Sequence, residues 1–217
     1  IEYTPRNGTQ PPFRTEIRFA YDDAALYIFA EMHDPFPDSI CKEMGKRDQI
    51  ENLYTDYISF DILPYNDGLN MYEFKVSPAG LQNDCKYSAV GQDVTWDAVW
   101  ESAARIHSDG WSVEIRLPYS ALRFPKVEKQ VWGINMWRNL RRSAEWSTWT
   151  FVDNKTQDVL KFYGTLTGIS NIDPPLRLSV SPYLAGYTEN FSEGKSWNYS
   201  IKGGLDLRYG INEAYTI

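Results

Sequence analysis

The sequence predicts an all-β protein built around an antiparallel β-sandwich. Aromatic residues make up 15% of the 217 residues, and 14 glycines and 12 prolines supply many turns. Short segments alternate apolar and polar residues with a period of two, which is typical of half-buried strands. The most helix-like stretch, residues 118–122, is at most a turn or two long. The layers of the fold are therefore expected to be sheets.

Two hairpins are predicted in the first half of the chain. In residues 15–32 the alternating segments lie on either side of Asp22-Asp23, and Asp34-Pro35 ends the second strand. Residues 57–63 and 71–77 form a second pair of strands, joined by a loop rich in Pro, Asn, Asp and Gly.

Four further strands are expected in the second half, at residues 111–117, 131–138, 148–151 and 162–169. Alternate residues from Trp111 to Leu117 are apolar and share one face of their strand. This face is predicted to lie in the core, and the alternation around Trp132 predicts the same for that side chain.

The composition changes at residues 170–175, which read Ser-Asn-Ile-Asp-Pro-Pro. This change predicts a first domain at 1–169, a linker at 170–175 and a second domain at 176–217. The second domain contains strands of about ten residues that are apolar on one face, polar on the other and aromatic near their ends, as in a transmembrane β-barrel. A soluble hairpin would show the same pattern, and two strands cannot close a barrel.

Net charge and residue counts exclude some functions. The formal charge is −7 and the pI is about 4.9, which argues against a nucleic-acid surface and suits neutral polar ligands or cations. The two cysteines, Cys41 and Cys85, match no zinc motif, and they could form a disulfide or remain thiols. Two histidines disfavour a zinc, haem or Ser/His site, and no phosphate loop or nucleophile elbow is present.

Seven of the eight tryptophans lie between residues 96 and 149. Such a cluster indicates either an aromatic core or a surface on which the faces of sugar rings stack. Carboxylate, amide and guanidinium groups near stacked rings would bond sugar hydroxyls. The candidate ligand-binding residues are Trp96, Asp97, Trp100, Trp146, Trp149, Asn70 and Arg138.

Polar residues suggest two further kinds of site, a calcium site and a catalytic pair of carboxylates. The oxygen-rich turn suggests a structural calcium site formed by Asn66, Asp67, Asn70 and Glu73. The alternative is a solvated hairpin turn with Gly68 at positive φ. Glu101 and Glu114 could in principle hydrolyse glycosides, but nothing in the sequence sets their separation. No catalytic residue is assigned, and an enzyme is the less favoured interpretation.

Several motifs resemble the carbohydrate-binding family 9-like domain found at the start of a group of Bacteroidetes outer-membrane proteins, in which an uncharacterised β-barrel follows. The motifs are Tyr21–Tyr27 with Asp34-Pro35, Tyr65–Phe74 with Ser77–Gly80, Trp96–Glu101 with Asp109–Trp111, Ile115–Phe124 and, resembling the start of the barrel, Gly203–Asn212.

The resemblance implies a β-sandwich followed by the first strands of an outer-membrane β-barrel. It also implies that the loop through residues 190–195 lies outside the cell and that the turn near residues 210–213 lies in the periplasm, as does the sandwich. The expected function is non-catalytic capture or guidance of a glycan or another polar polymer. The alternatives are a plug or docking module without sugar binding, and a glycoside hydrolase-associated activity.

Overall fold

The computed structural model describes residues 1–174, 178–191 and 196–209. The chain divides into two units, Ile1–Pro174 and Pro175–Ile217. Residues 192–195 of the outer loop predicted at 190–195, and the predicted turn at residues 210–213, lie outside the described residues. No helix in the described residues is long and apolar enough to cross a membrane.

Two antiparallel sheets form the first unit. The larger sheet contains β1 (Glu2–Thr4), β4 (Tyr57–Leu63), β5 (Met71–Val76), β6 (Gln82–Ser88), β7 (Gly91–Asp93), β10 (Trp132–Leu140), β11 (Glu145–Thr148) and β12 (Gly164–Leu166). Its order is β1-β11-β10-β4-β5-β6-β7, and β12 pairs with β10. The smaller sheet contains β2 (Thr15–Tyr21), β3 (Ala25–His33), β8 (Glu101–His107) and β9 (Gly110–Pro118), in the order β2-β3-β9-β8.

The inner faces of the two sheets share one hydrophobic core. Phe60, Phe74 and Trp132 enter it from the larger sheet, and the alternate residues from Trp111 to Leu117 enter it from the smaller one. The predicted core positions of Trp111 and Trp132 are therefore confirmed. This arrangement is the β-sandwich expected from the alternating segments.

Both predicted hairpins are present with the expected pairing. β2 pairs with β3, and the carboxylate of Asp22 accepts hydrogen bonds from the backbone N–H groups of Ala24 and Ala25 at 2.8 and 2.9 Å. β4 pairs with β5, with Asp61 directly opposite Glu73. The local turn chemistry therefore defines both connections.

Two strand positions were predicted wrongly. The strand expected at 148–151 is β11, which ends at Thr148, because the chain turns away and Trp149 packs over Gly164. The strand expected at 162–169 is reduced to β12, since residues 160–162 form a 3-10 turn and Gly168 has φ +94°. Other 3-10 turns are Pro37–Ser39, Ile50–Asn52, Tyr119–Ala121 and Arg141–Ser143.

The cysteines are both free thiols. Cys85 is buried beside Glu73, and its Sγ lies 3.1 Å from the Oε1 atom of that residue. Burial and the nearby Glu73 carboxylate raise the pKa of the Cys85 thiol to about 12. The thiol is therefore protonated and unreactive at neutral pH.

The second unit contains one hairpin, β13 (Leu178–Phe191) and β14 (Ser196–Tyr209), paired over its whole length. Val180 faces Leu207 and Pro182 faces Leu205 on one side, while Ser181 faces Asp206 on the other. Side chains of the apolar side, such as Leu184 and Ile201, are largely exposed.

Gly110 connects β8 to β9 at φ +146°, and a Cβ atom there would lie 2.1 Å from the backbone oxygen of Met32. Gly68 has φ +67° with open space around it. Gly110→Ala should therefore lower the free energy of unfolding by about 3 kcal/mol or more, because backbone atoms must move. Gly68→Ala should cost only about 1 kcal/mol of backbone strain. Urea denaturation would measure both, and equal losses would contradict the tight packing at Gly110.

Candidate functional site

A cleft lies on the outer face of the larger sheet, above β4, β5 and β10. Its volume is about 240 Å³. The pleat places Ser59 and Asp61 on this face, opposite Lys75 and Glu73 of β5. The lining, here called the aromatic cleft, is Tyr57, Ser59, Asp61, Met71, Glu73, Lys75, Tyr87, Trp137, Trp146, Val159, Leu160 and Tyr163.

Aromatic rings form the walls of the aromatic cleft. The rings of Trp137 and Trp146 meet edge to face, with centroids 6.2 Å apart. Trp146 meets Tyr57 in the same way at 6.1 Å, and Tyr3 supports Trp137 at 5.1 Å. Edge-to-face contacts of this kind fix the orientation of each ring. The cleft is therefore a rigid apolar surface of a kind that can pack against the C–H groups of a sugar ring.

Asp61 lies on the cleft floor and holds the wall in place. Its Oδ2 atom accepts hydrogen bonds from Trp137 Nε1 at 2.8 Å and from the Tyr163 hydroxyl. The Ser59 hydroxyl donates to Oδ1 at 3.1 Å. Burial, followed by the charge of Glu73, raises the pKa of Asp61 to about 7, although the donors oppose this shift.

Lys75 is the buried cation of the cleft. Its Nζ atom contacts Glu51 Oε1 at 2.5 Å and Glu73 Oε1 at 2.9 Å. Burial alone would lower the pKa of Lys75, but the two carboxylates raise it above its usual range. The lysine therefore remains charged, and its charge is shared between Glu51 at the rim and Glu73 on the floor.

A second cavity of about 490 Å³ adjoins the aromatic cleft. The two share Glu73, Lys75, Tyr87 and Trp146. The second, here called the acidic cavity, is also lined by Asp48, Glu51, Asn83, Asp84, Gln92 and Val94. Together they form a groove on the outer face of the larger sheet.

Of the tryptophans proposed from the sequence, Trp146 lines both cavities. Trp100 instead belongs to the core at 5% exposure, and its Nε1 donates to Asp84 Oδ2 at 2.5 Å. Trp96 packs against Tyr72 and Phe74 at the edge of the same core. Neither Trp96 nor Trp100 lines the groove.

Two further candidate residues, Asp97 and Arg138, lie outside the aromatic cleft. Asp97 is exposed and forms an ion pair with Arg47 at 3.0 Å. Arg138 is buried and donates to the backbone oxygens of Arg14 and His33 at 3.1 and 2.8 Å, so it links the two sheets. Burial lowers the pKa of Arg138 to about 10. Neither side chain faces the aromatic cleft.

Trp149 is 52% exposed and lines a third cavity of about 490 Å³ with Met136, Trp137 and Arg138. Trp137 also lines the aromatic cleft, whereas Trp149 does not. Trp149 is therefore accessible, but it does not share a site with Trp146. Separate substitutions of Trp146 and Trp149 can therefore show which cavity binds a ligand.

The structure places three of the four predicted calcium ligands in one turn and the fourth, Glu73, elsewhere. Asp67 Oδ1 accepts hydrogen bonds from the backbone N–H groups of Leu69 and Asn70, and Oδ2 accepts one from Asn70 Nδ2 at 2.8 Å. Asn66 adopts φ +47° in the same turn. Glu73 instead lies on the cleft floor beside Lys75. The turn thus satisfies its own polar groups.

Metal-binding geometry occurs elsewhere in the described residues. Single ligand atoms of Glu31, His33 and Asp109 all lie within 4.8 Å of one another on the smaller sheet. His33 Nε2 is also 3.3 Å from Glu16 Oε1. These groups are partly or fully exposed to solvent, and they do not contact the groove.

The two carboxylates considered for hydrolysis lie outside the groove, on the smaller sheet. Glu101 pairs with Arg116 at 3.1 Å, and both Glu101 and Glu114 are exposed. A facing pair does occur in the aromatic cleft, at Asp61 and Glu73. Both are held by protein groups: Asp61 by its three donors, and Glu73 by Lys75 and Cys85.

Sequence reasoning missed most of the cleft. Asp61, Lys75, Trp137 and Tyr163 are not among the candidate residues named from the sequence. The alternation of side chains along β4 and β10 could have indicated this cleft. Trp137 pairs with Ser59 across these strands and therefore lies on the same face of the sheet as Asp61. Polar residues spaced by two in strands that are otherwise apolar indicate a second buried face.

Comparison with solved structures shows the same fold in carbohydrate-binding modules. A family 9 module from Caldicellulosiruptor kristjanssonii in complex with glucose matches with TM-score 0.52 and 17% identity, over 81% of this chain and 88% of that one. The same module in complex with cellotriose matches with TM-score 0.51 and 17% identity, over 80% and 88%. These low identities establish the fold and not the ligand.

A candidate carbohydrate-binding protein from Bacteroides uniformis matches with TM-score 0.58 and 11% identity, over 71% of this chain and 78% of that one. Residues 174–217 match a family described as a domain of unknown function, DUF5916. This match covers less than half of the chain. A search of curated proteins finds no match.

The raised pKa of Asp61 predicts a pH dependence of stability. The folded protein binds a proton at Asp61 up to about pH 7, whereas an unfolded Asp releases it near pH 4. The free energy of unfolding should therefore fall as pH rises from about 4 to about 7.

Asp61→Asn should flatten this slope, while Glu101→Gln, on the exposed face of the smaller sheet, should leave it unchanged. Urea denaturation across this pH range would measure the slope. Equal slopes in the wild type and Asp61→Asn would show that Asp61 is ionised throughout.

Proposed function

We propose that the first unit is a non-catalytic carbohydrate-binding module and that the aromatic cleft is its sugar site. The observation that carries the proposal is the partly buried ring of Trp146, which lines the cleft beside Trp137 above a floor of hydrogen-bonded carboxyl groups and a lysine. An apolar wall with a few oriented polar groups is typical of small-ligand sites. The shared fold with glucose- and cellotriose-bound modules supports this choice.

The same geometry favours binding over hydrolysis. Asp61 accepts three hydrogen bonds from protein donors, and Glu73 is paired with Lys75. A general acid or a nucleophile must be free to reach the scissile bond. The open cleft also favours ligand binding over the alternative of a docking module whose tryptophans only fill a core.

We further propose that the second unit begins an outer-membrane β-barrel, with the sandwich in the periplasm. The hairpin pairs 14-residue strands in register, and residues such as Val180, Leu205 and Leu207 form an apolar side opposite a polar one. Apolar-out, polar-in alternation is the requirement for a membrane strand. The sandwich would then capture a glycan, or another polar polymer, close to the membrane.

Trp146→Ala should weaken binding of cellotriose at least about tenfold, because it removes one wall of the cleft. Trp149→Ala is the matched control, since Trp149 does not line the aromatic cleft, and its affinity should stay within about twofold of the wild type. Isothermal titration calorimetry would measure both. Loss of binding only in Trp149→Ala would place the site in the other cavity.

The location can be tested with a protease added to cells that carry the protein. The sandwich should survive in intact cells and be cleaved once the outer membrane is permeabilised. Immunoblotting with an antibody against the first unit would follow the cleavage. Digestion of the sandwich in intact cells would contradict the periplasmic orientation.

A further inference from the structure

The groove formed by the aromatic cleft and the acidic cavity carries an excess of negative charge. Its described lining contains one lysine, Lys75, and four carboxylates, Asp48, Glu51, Glu73 and Asp84. Asp61 also lines the groove but adds no full charge, because burial raises its pKa to about 7. Arg47, beside the groove, contacts Asp84 at 2.5 Å and Asp48 at 3.6 Å. Lys75 is shared by Glu51 and Glu73. The two cations are fewer than the carboxylates, so the groove keeps a net negative charge.

The aromatic rings add to this preference for positive charge. Tyr57, Tyr87, Trp137, Trp146 and Tyr163 all line the aromatic cleft. The face of an aromatic ring carries partial negative charge and attracts ammonium groups. Within the protein, Lys75 already lies over the Tyr57 ring, with its Nζ atom 5.4 Å from the centroid.

The charge of Lys75 repels a second cation, but this repulsion is weak. Its Nζ atom lies within 2.9 Å of both carboxylates, so most of its field is cancelled locally. Glu51 is about half exposed at the rim, with a side-chain exposure of 48%. A ligand that enters from solvent therefore meets the Glu51 carboxylate before it reaches the buried lysine.

From this arrangement we propose that the groove selects glycans that carry free amino groups. An ammonium group near the rim contacts Glu51 while the sugar ring packs on Trp146. Neutral glycans of the same linkage bind more weakly, and glycans rich in carboxylate or sulfate groups are repelled. This inference rests on the proposed function, since it names the chemistry of the ligand at the same site.

The test uses four β- or α-linked tetrasaccharides as probes: a glucosamine tetramer, an N-acetylglucosamine tetramer, cellotetraose and a galacturonic acid tetramer. Calorimetry on the full chain at about pH 6, where simple amines are protonated, compares their affinities at low and high salt. The glucosamine tetramer should bind about fivefold or more tightly than cellotetraose at low salt. This ratio should shrink at high salt, because ions screen charges near the surface.

Glu51→Gln removes one rim carboxylate and should lower the ratio of glucosamine-tetramer affinity to cellotetraose affinity about threefold. Glu101→Gln, an equal change of charge on the smaller sheet, should leave the ratio as it is. A wild-type ratio near one, or equal or tighter binding of the galacturonic acid tetramer, would overturn the inference while the binding of neutral glycans still supports the proposed function. If no tetramer binds, both proposals fail.

Discussion

The burial of strand β4 on both faces is the constraint on which the rest of the first unit depends. All seven residues of β4 and all six of β5 are buried. The inner face is apolar and meets the smaller sheet, as in any sandwich. The outer face carries Ser59, Asp61 and Glu73, and each buried polar group must find a partner or destabilise the fold.

The partners of Asp61 come from distant parts of the chain, and they create the cleft. Trp137 arrives on β10 and Tyr163 from the segment after the last 3-10 turn, and both donate to the same carboxylate. This shared acceptor holds two aromatic side chains over the sheet, where they line the cleft together with Trp146. The polar floor is thus required for folding, and the proposed ligand site is a consequence of it.

The sequence alone was sufficient for the strands whose pattern is local. The hairpins around Asp22 and residues 64–70, and the core positions of Trp111 and Trp132, follow from alternation and turn chemistry. Long-range contacts were not predictable in this way. Trp100 enters the core because Asp84, on β6, accepts its N–H group. Likewise, no local pattern places Tyr163 beside Asp61.

The central claim is that Trp137 and Trp146 contact a sugar while the other tryptophans do not. The indole N–H resonances of the full chain, labelled with ¹⁵N and assigned by single Trp→Phe variants, test this during titration with cellotriose or with the glucosamine tetramer. The account predicts shifts of the Trp137 and Trp146 resonances, with those of Trp100, Trp111, Trp132 and Trp149 unchanged. A saturable shift confined to Trp149, or none at Trp146, would contradict it.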